Sequence, residues 1–251
     1  MPFSKRWIKL GLLLATLIIG ILFINERYIK ADQKNDVLEN ESLQKKKPSA
    51  LAVPIKESIQ LDVPLLYQFD EPSLYNGCEV TSLAMILNYY DIDVTENELA
   101  DEIKTVPLLN DEDEYGNPHK GFVGNISGEE PGLGVYHEPI VKLAKKYVAK
   151  DKIIDLSGSD FNEVLAALSS GHPVWTITTA SFGPVDDFVT WDTTEGELDV
   201  TYSMHSVAIT GYDSEMIYFN DPYGEKDSAM DRETFVAAYG QMGSQAVYFD
   251  L

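Results

Sequence analysis

The sequence predicts an α+β domain carried behind an N-terminal apolar segment. Three features lead there: stretches with 3.6-residue apolar spacing in the middle of the chain, β-branched runs punctuated by short turns in its last third, and one uninterrupted apolar run near the start. Helices are expected at about 78–90, 95–104, 137–149 and 160–169. An antiparallel sheet is expected from about 173–179, 203–211, 216–220 and 246–250.

The N-terminal run is the first element. After Lys5, Arg6 and Lys9 come fifteen uncharged residues, Leu10 to Ile24, long enough to cross a bilayer if Trp7, Ile8 and a snorkelling Lys9 extend them. The exit "NERYIKADQ" offers only Ala31 as a small residue, with bulky Ile29 two places before it, so no signal-peptidase site is evident. Residues 1–29 therefore read as a cytoplasmic stub plus an uncleaved signal anchor, one transmembrane helix with the positive charges inside. Residues 30–54, containing "KKKPSA", read as a flexible tether, and 55–251 as one domain. The expected location is the cell membrane, single-pass, with the domain extracytoplasmic, or secreted if the leader is cut.

Charge narrows the partners. Residues 1–50 hold nine Lys/Arg against five Asp/Glu, and the full chain holds 19 against 41, which leaves ten against thirty-six for residues 51–251. So acidic a domain repels nucleic acid and anionic lipid, which leaves the N-terminal helix as the only membrane contact, and it attracts cationic peptide. At 251 residues and 44% hydrophobic, the chain holds enough apolar material for one sizeable core.

The helix expected at 78–90 follows from Val80, Leu83, Ala84 and Leu87, with Ile86 and Tyr90 on a neighbouring track. "SLYNG" before it supplies turn residues, with Asn76 as the expected N-cap, so that Cys78, the only cysteine, lies in the first turn. Unpaired N–H groups and the helix dipole there favour a thiolate and lower the thiol pKa. The other reading of Cys78 is a small buried hydrophobe. An exported chain normally pairs its structural cysteines, and this one has no partner within the chain.

Four histidines could serve such a thiol. His119 in a polar loop, His137 at the head of a helical stretch and His172 in a turn read as surface or capping residues. His205 differs because it opens a Val/Ile/Thr-rich segment that turns at Tyr212 to Glu215 into "MIYFN". With a mirror point near Asp213, His205 faces Asp221 across the hairpin, close enough for the carboxylate to orient the imidazole.

With these residues in view, "LYQFDEPSLYNGCEVTSLAMILNYYDIDVTENELADEI", "GFVGN", "GLGVYHEPI", "DLSG", "GHPVW" and "HSVAITGYDSEMIYFNDPYG" resemble the C39-like branch of papain-fold cysteine peptidases, exported by Gram-positive bacteria. The resemblance spans about residues 60–251. It implies a papain-like fold in which the Cys-bearing helix packs on the antiparallel sheet, and a thiol protease acting on peptide or protein without a cofactor or metal. It further implies Cys78 as nucleophile, His205 as base and later acid, Asp221 as the orienting residue, and Gln68 with the Cys78 N–H as oxyanion donors. Gly77 and Glu79, flanking the nucleophile, and Trp191, in the acidic-aromatic stretch 186–202, are the expected substrate contacts. The family's bacteriocin-leader peptidases carry Asp-Cys-Gly after a short Gln-to-Cys interval, whereas here ten positions separate Gln68 from a Gly-Cys-Glu motif. Their double-glycine leader specificity is therefore not carried over. The same triad would also suit a transpeptidase or amidase, and the same shape a non-catalytic peptide- or wall-binding module.

Other motifs read more plainly. Asp111 and Asp113 are spaced like the start of a calcium loop, but the downstream Glu is missing, so a solvated loop is expected. Gly121, Gly124, Gly132 and Gly134 lack the strand and Lys of a phosphate loop. The scattered histidines argue against a metal hydrolase.

If Leu10 to Ile24 is an uncleaved anchor, the full-length protein fractionates with membranes, and protease added outside intact protoplasts digests the 51–251 part. Recovery of a soluble extracellular form beginning near Asp32 would show that the leader is cut.

Overall fold

The apolar spacing after Gly77 produces helix α1, Cys78–Tyr89, which contains no Gly or Pro to interrupt it. In this computed structural model, which describes residues 55–251, the expected membrane helix and tether lie outside the described residues. Among those described, no helix is long and apolar enough to cross a membrane. The apolar spacing that predicts α1 marks one face, but every residue from Cys78 to Leu87 is buried. The reason is its central position, between the main sheet and the helices α2, Glu96–Glu102, and α3, His137–Ala144. Asn76 is not the cap either. Gly77 occupies that position without a side-chain bond, and Asn76 Nδ2 donates instead to the Asn125 carbonyl at 2.7 Å.

The elements between follow local signals. Thr95 and Glu98 form a reciprocal capping box that starts α2. A small sheet joins β2, Thr105–Val106, in parallel to β3, Phe122–Gly124, which pairs antiparallel with β4, Gly132–Gly134. α3 stops earlier than expected because its last turn tightens into i→i+3 bonds, Lys146 N–H to Leu143 O and Tyr147 N–H to Ala144 O.

The main sheet has seven strands. β5, Ile153–Asp155; β6, Val174–Thr179; β9, Met204–Tyr212; β10, Met216–Asp221; β11, Glu225–Asp231; and β12, Ala246–Phe249 run in the order β11-β10-β9-β6-β12-β5, with β1, Ile59–Gln60, added to β9. All pairings in it are antiparallel, as expected. Alternation along β6 divides the core: Trp175 and Ile177 pack with α1, while Val174 packs with α4, Phe161–Ser169, and α5, Arg232–Gln241. Burying a large apolar side chain on either face contributes roughly 1.5–3 kcal/mol. The stretch 186–202 forms a separate hairpin, β7 Val189–Thr193 and β8 Gly196–Val200.

The β9–β10 hairpin exists, but its register is shifted. Ile217 faces Tyr212 and Asn220 faces Ala208, with an irregularity at Tyr218/Phe219. Extended outward, Asp221 lies opposite Val207 rather than His205. A shift of two residues preserves the face, so the pair still meets diagonally.

Candidate active site

Cys78 is buried at the start of α1, where its N–H has no intrahelical acceptor. His205 stands at the start of β9, next to Ser206, whose backbone reaches the thiol. His205 Nε2 lies 2.8 Å from Asp221 Oδ1, an ion-pair geometry in which both residues are almost fully buried. The carboxylate is itself positioned, since Oδ1 also accepts the Tyr223 N–H at 3.0 Å. Because Nε2 is engaged, Nδ1 is the nitrogen left over, and it is buried with no hydrogen-bond partner among the described residues. The His205 ring is held between Tyr223, 4.5 Å between centroids, and Phe182, 6.0 Å.

The expected low thiol pKa is corrected. Burial pushes the Cys78 thiol well above its ordinary value, and the neighbouring Glu79 carboxylate pushes it further. A backbone hydrogen bond from Ser206, the residue after His205, acts the other way and favours the thiolate. The thiol and the Glu79 carboxylate are in contact, Sγ to Oε2 at 3.4 Å. Burial and the acidic neighbour both favour the protonated thiol.

Glu79 is therefore not an open substrate contact. Its side chain is fully buried, Oε1 accepts the Val135 N–H at 3.0 Å, and its own carbonyl accepts Trp175 Nε1–H at 2.9 Å. Burial raises its carboxyl pKa to about 7. Gly134 makes room for it: its φ is +136°, and a Cβ there would strike Glu79 Oε1 and Met204. Gly77 is likewise a packing position, because a Cβ on it would meet the Leu74 side chain.

The Gln68 amide is engaged otherwise than an oxyanion donor's would be. Both of its amide hydrogens are used, on the Leu74 and Tyr75 carbonyls at 3.0 Å each, and its Oε1 is buried without a partner. It ties the loop before Cys78 to the segment after Asp221, since its backbone N–H donates to the Pro222 carbonyl. Trp191 is also displaced from its expected role. It is buried, stacked on Tyr115 at 4.2 Å, and touches the cleft only through Tyr202, 6.0 Å away.

A cleft of about 540 Å³ opens over Cys78. Its rim carries Tyr75, Tyr202 and Tyr223, all exposed, and its wall carries Glu129 and Glu130 with the backbone of Gly128 to Leu133. Sequence reasoning missed these three tyrosines. Their signal was large aromatics in turn-rich segments beside the proposed triad members.

These features define a papain-like fold with Cys78 at a cleft and a buried His205–Asp221 pair. The chain belongs to the Peptidase_C39-like family, whose model matches residues 60–247. It is 50% identical over 230 residues to the uncharacterised protein YvpB of Bacillus subtilis (strain 168), covering 91% of this chain and 88% of that protein. A crystal structure from Bacillus anthracis described as a C39-like peptidase superposes with a TM-score of 0.74 at 45% identity, covering 78% of this chain and 98% of that one.

The Glu79 carboxyl gives a test of this geometry. Its folded pKa of about 7 lies above the ordinary 4.5, so the folded state holds the extra proton between those values. The associated stability is present at low pH and is lost as pH rises through that window, by about 3 kcal/mol. Urea unfolding at pH 5 and pH 8 should show this loss in the wild type and a smaller one in Glu79→Gln. Equal losses in the two proteins would remove the buried carboxyl from the explanation.

Proposed function

We propose that the protein is a membrane-anchored, extracytoplasmic cysteine peptidase that cleaves cationic peptide segments through Cys78, His205 and Asp221. The observation that carries this reading is the orphaned, buried Nδ1 of His205, on a ring whose Nε2 is already fixed by Asp221. A buried imidazole nitrogen without a partner is costly, and a base waiting for a thiol proton accounts for the cost. Anchoring and export rest on the basic residues that precede the apolar run Leu10 to Ile24.

In the reaction, Cys78 gives its proton to His205 Nδ1 as the sulfur bonds to the substrate carbonyl carbon, and the carbonyl electron pair moves onto oxygen. The Cys78 N–H, free at the helix start, donates to that oxyanion. The scissile C–N bond then breaks, Nδ1–H protonates the departing amine, and a thioester remains on Cys78. Water, deprotonated by the same nitrogen, cleaves the thioester and restores the thiol. Glu129 and Glu130 supply negative charge along the cleft, and Tyr75, Tyr202 and Tyr223 supply apolar area for the flanking side chains.

A second reading, a peptide-binding module that keeps this shape without turnover, is favoured by one feature: both Gln68 amide hydrogens are already donated to the Leu74 and Tyr75 carbonyls. A single set of measurements on the full-length protein separates the two. Turnover of a basic peptide library should vanish in Cys78→Ala, fall no further when His205→Ala is added, and persist at a residual level in Asp221→Ala. An activated ester should leave an acyl mass on Cys78 alone. Peptide affinity without any covalent adduct in folded wild-type protein would establish the binding module instead.

A further inference from the structure

We propose that His119, His137 and Glu138 form a zinc site that fastens the two ends of the segment lining the cleft. The histidines are 18 positions apart in the sequence, yet the fold brings their ring nitrogens to one carboxylate. His119 Nδ1 is 2.9 Å from both Glu138 oxygens, and His137 Nε2 is 3.4 Å from Glu138 Oε2. The three donor atoms lie within 4.8 Å of one another. Tetrahedral zinc with bonds of about 2.0–2.1 Å places its ligand atoms roughly 3.3 Å apart, inside that range. Two imidazoles and one carboxylate are a donor set for zinc rather than for calcium or magnesium, which take oxygen.

The surroundings are those of a ligand set rather than of a simple ion pair. The second nitrogen of His137, Nδ1, is 2.8 Å from Asp155 Oδ2, which fixes the tautomer so that Nε2 presents its lone pair to the cluster. A carboxylate placed behind a ligating histidine in this way orients the ring and raises its basicity. The His119 ring is set edge-on to Tyr136 at 4.6 Å. All three ligands are partly accessible, with side-chain exposures of 36% for His119, 18% for His137 and 46% for Glu138, so an ion can enter and keep a water as fourth ligand.

The location gives the site its purpose. The Tyr136 N–H donates to the Pro118 carbonyl, so the chain closes on itself here. Residues 120–136 run between the two histidines, and they include the cleft wall from Gly128 to Leu133 and Val135, whose N–H holds Glu79. A metal at the base of this loop orders the wall without touching the thiol. The site stands whether or not Cys78 is catalytic.

The test uses the full-length protein in detergent, carrying Cys78→Ala so that the thiol cannot compete for metal, and stripped with chelator. Zinc titration by calorimetry should show one equivalent bound, a rise in Tm of roughly 5 °C or more at saturation, and slower amide exchange across 120–136. The equivalent should disappear in His119→Ala and in His137→Ala, and Asp155→Asn should weaken it by roughly ten- to a hundredfold. Cobalt substitution in the protein with its three ligands intact should give the intense visible bands of a four-coordinate ion, a readout that does not depend on any variant folding. No bound zinc, zinc retained undiminished in the His119→Ala/His137→Ala double variant, or a six-coordinate cobalt spectrum would each overturn the site.

Discussion

The Glu79 carboxyl, buried between the thiol and the loop that walls the cleft, is the constraint on which the rest of the site depends. One oxygen takes the Val135 N–H and the other touches Cys78 Sγ, so a single side chain joins the first turn of α1 to the segment leaving β4. Its backbone carbonyl takes the Trp175 indole, which fixes the same turn against β6. Such a group is stable in the interior only if its polar atoms are satisfied or it keeps its proton, and here both conditions act. The neighbouring glycine is a consequence: only a residue without Cβ leaves room beside the carboxyl at position 134.

The base side of the site is built separately and then docked. β9 and β10 carry His205 and Asp221, and the turn after Asp221 returns to hold both its own carboxylate and the Gln68 backbone. Gln68 in turn anchors the Leu74 and Tyr75 carbonyls immediately before Cys78. Thiol and imidazole are thus linked through two chains of hydrogen bonds, one through Gln68 and one through Ser206. Their relative placement is fixed by the Gln68 side chain together with backbone groups, which suits a site that must hold a proton path within a fraction of an ångström.

Legibility in the sequence followed locality. α1, α4 and the β9–β10 hairpin were readable because apolar period and turn residues are local signals. The His205–Asp221 pairing survived an error in register because a slip of two residues keeps the same face. The apolar spacing does not predict α5, because only Phe235, Ala238 and Tyr239 are buried along it, although Asp231 is a residue type that favours a helix start and its carboxylate accepts the Thr234 N–H. The acidic-aromatic neighbours of Trp191 point to the cleft, but its ring stacks on Tyr115 and is buried. The burial of Glu79, the occupied Gln68 amide and the meeting of His119 with His137 depend on contacts between distant segments, which no local pattern encodes.

The pH dependence of Cys78 alkylation by iodoacetamide tests the coupling of thiol and carboxyl most directly. In resting full-length protein the midpoint should lie above the ~8.5 of a free cysteine, and Glu79→Gln should lower it, because the substitution removes the negative charge beside the sulfur. A wild-type midpoint below the free value, unchanged by Glu79→Gln, would mean that the thiolate is already formed and that the buried carboxyl does not govern it.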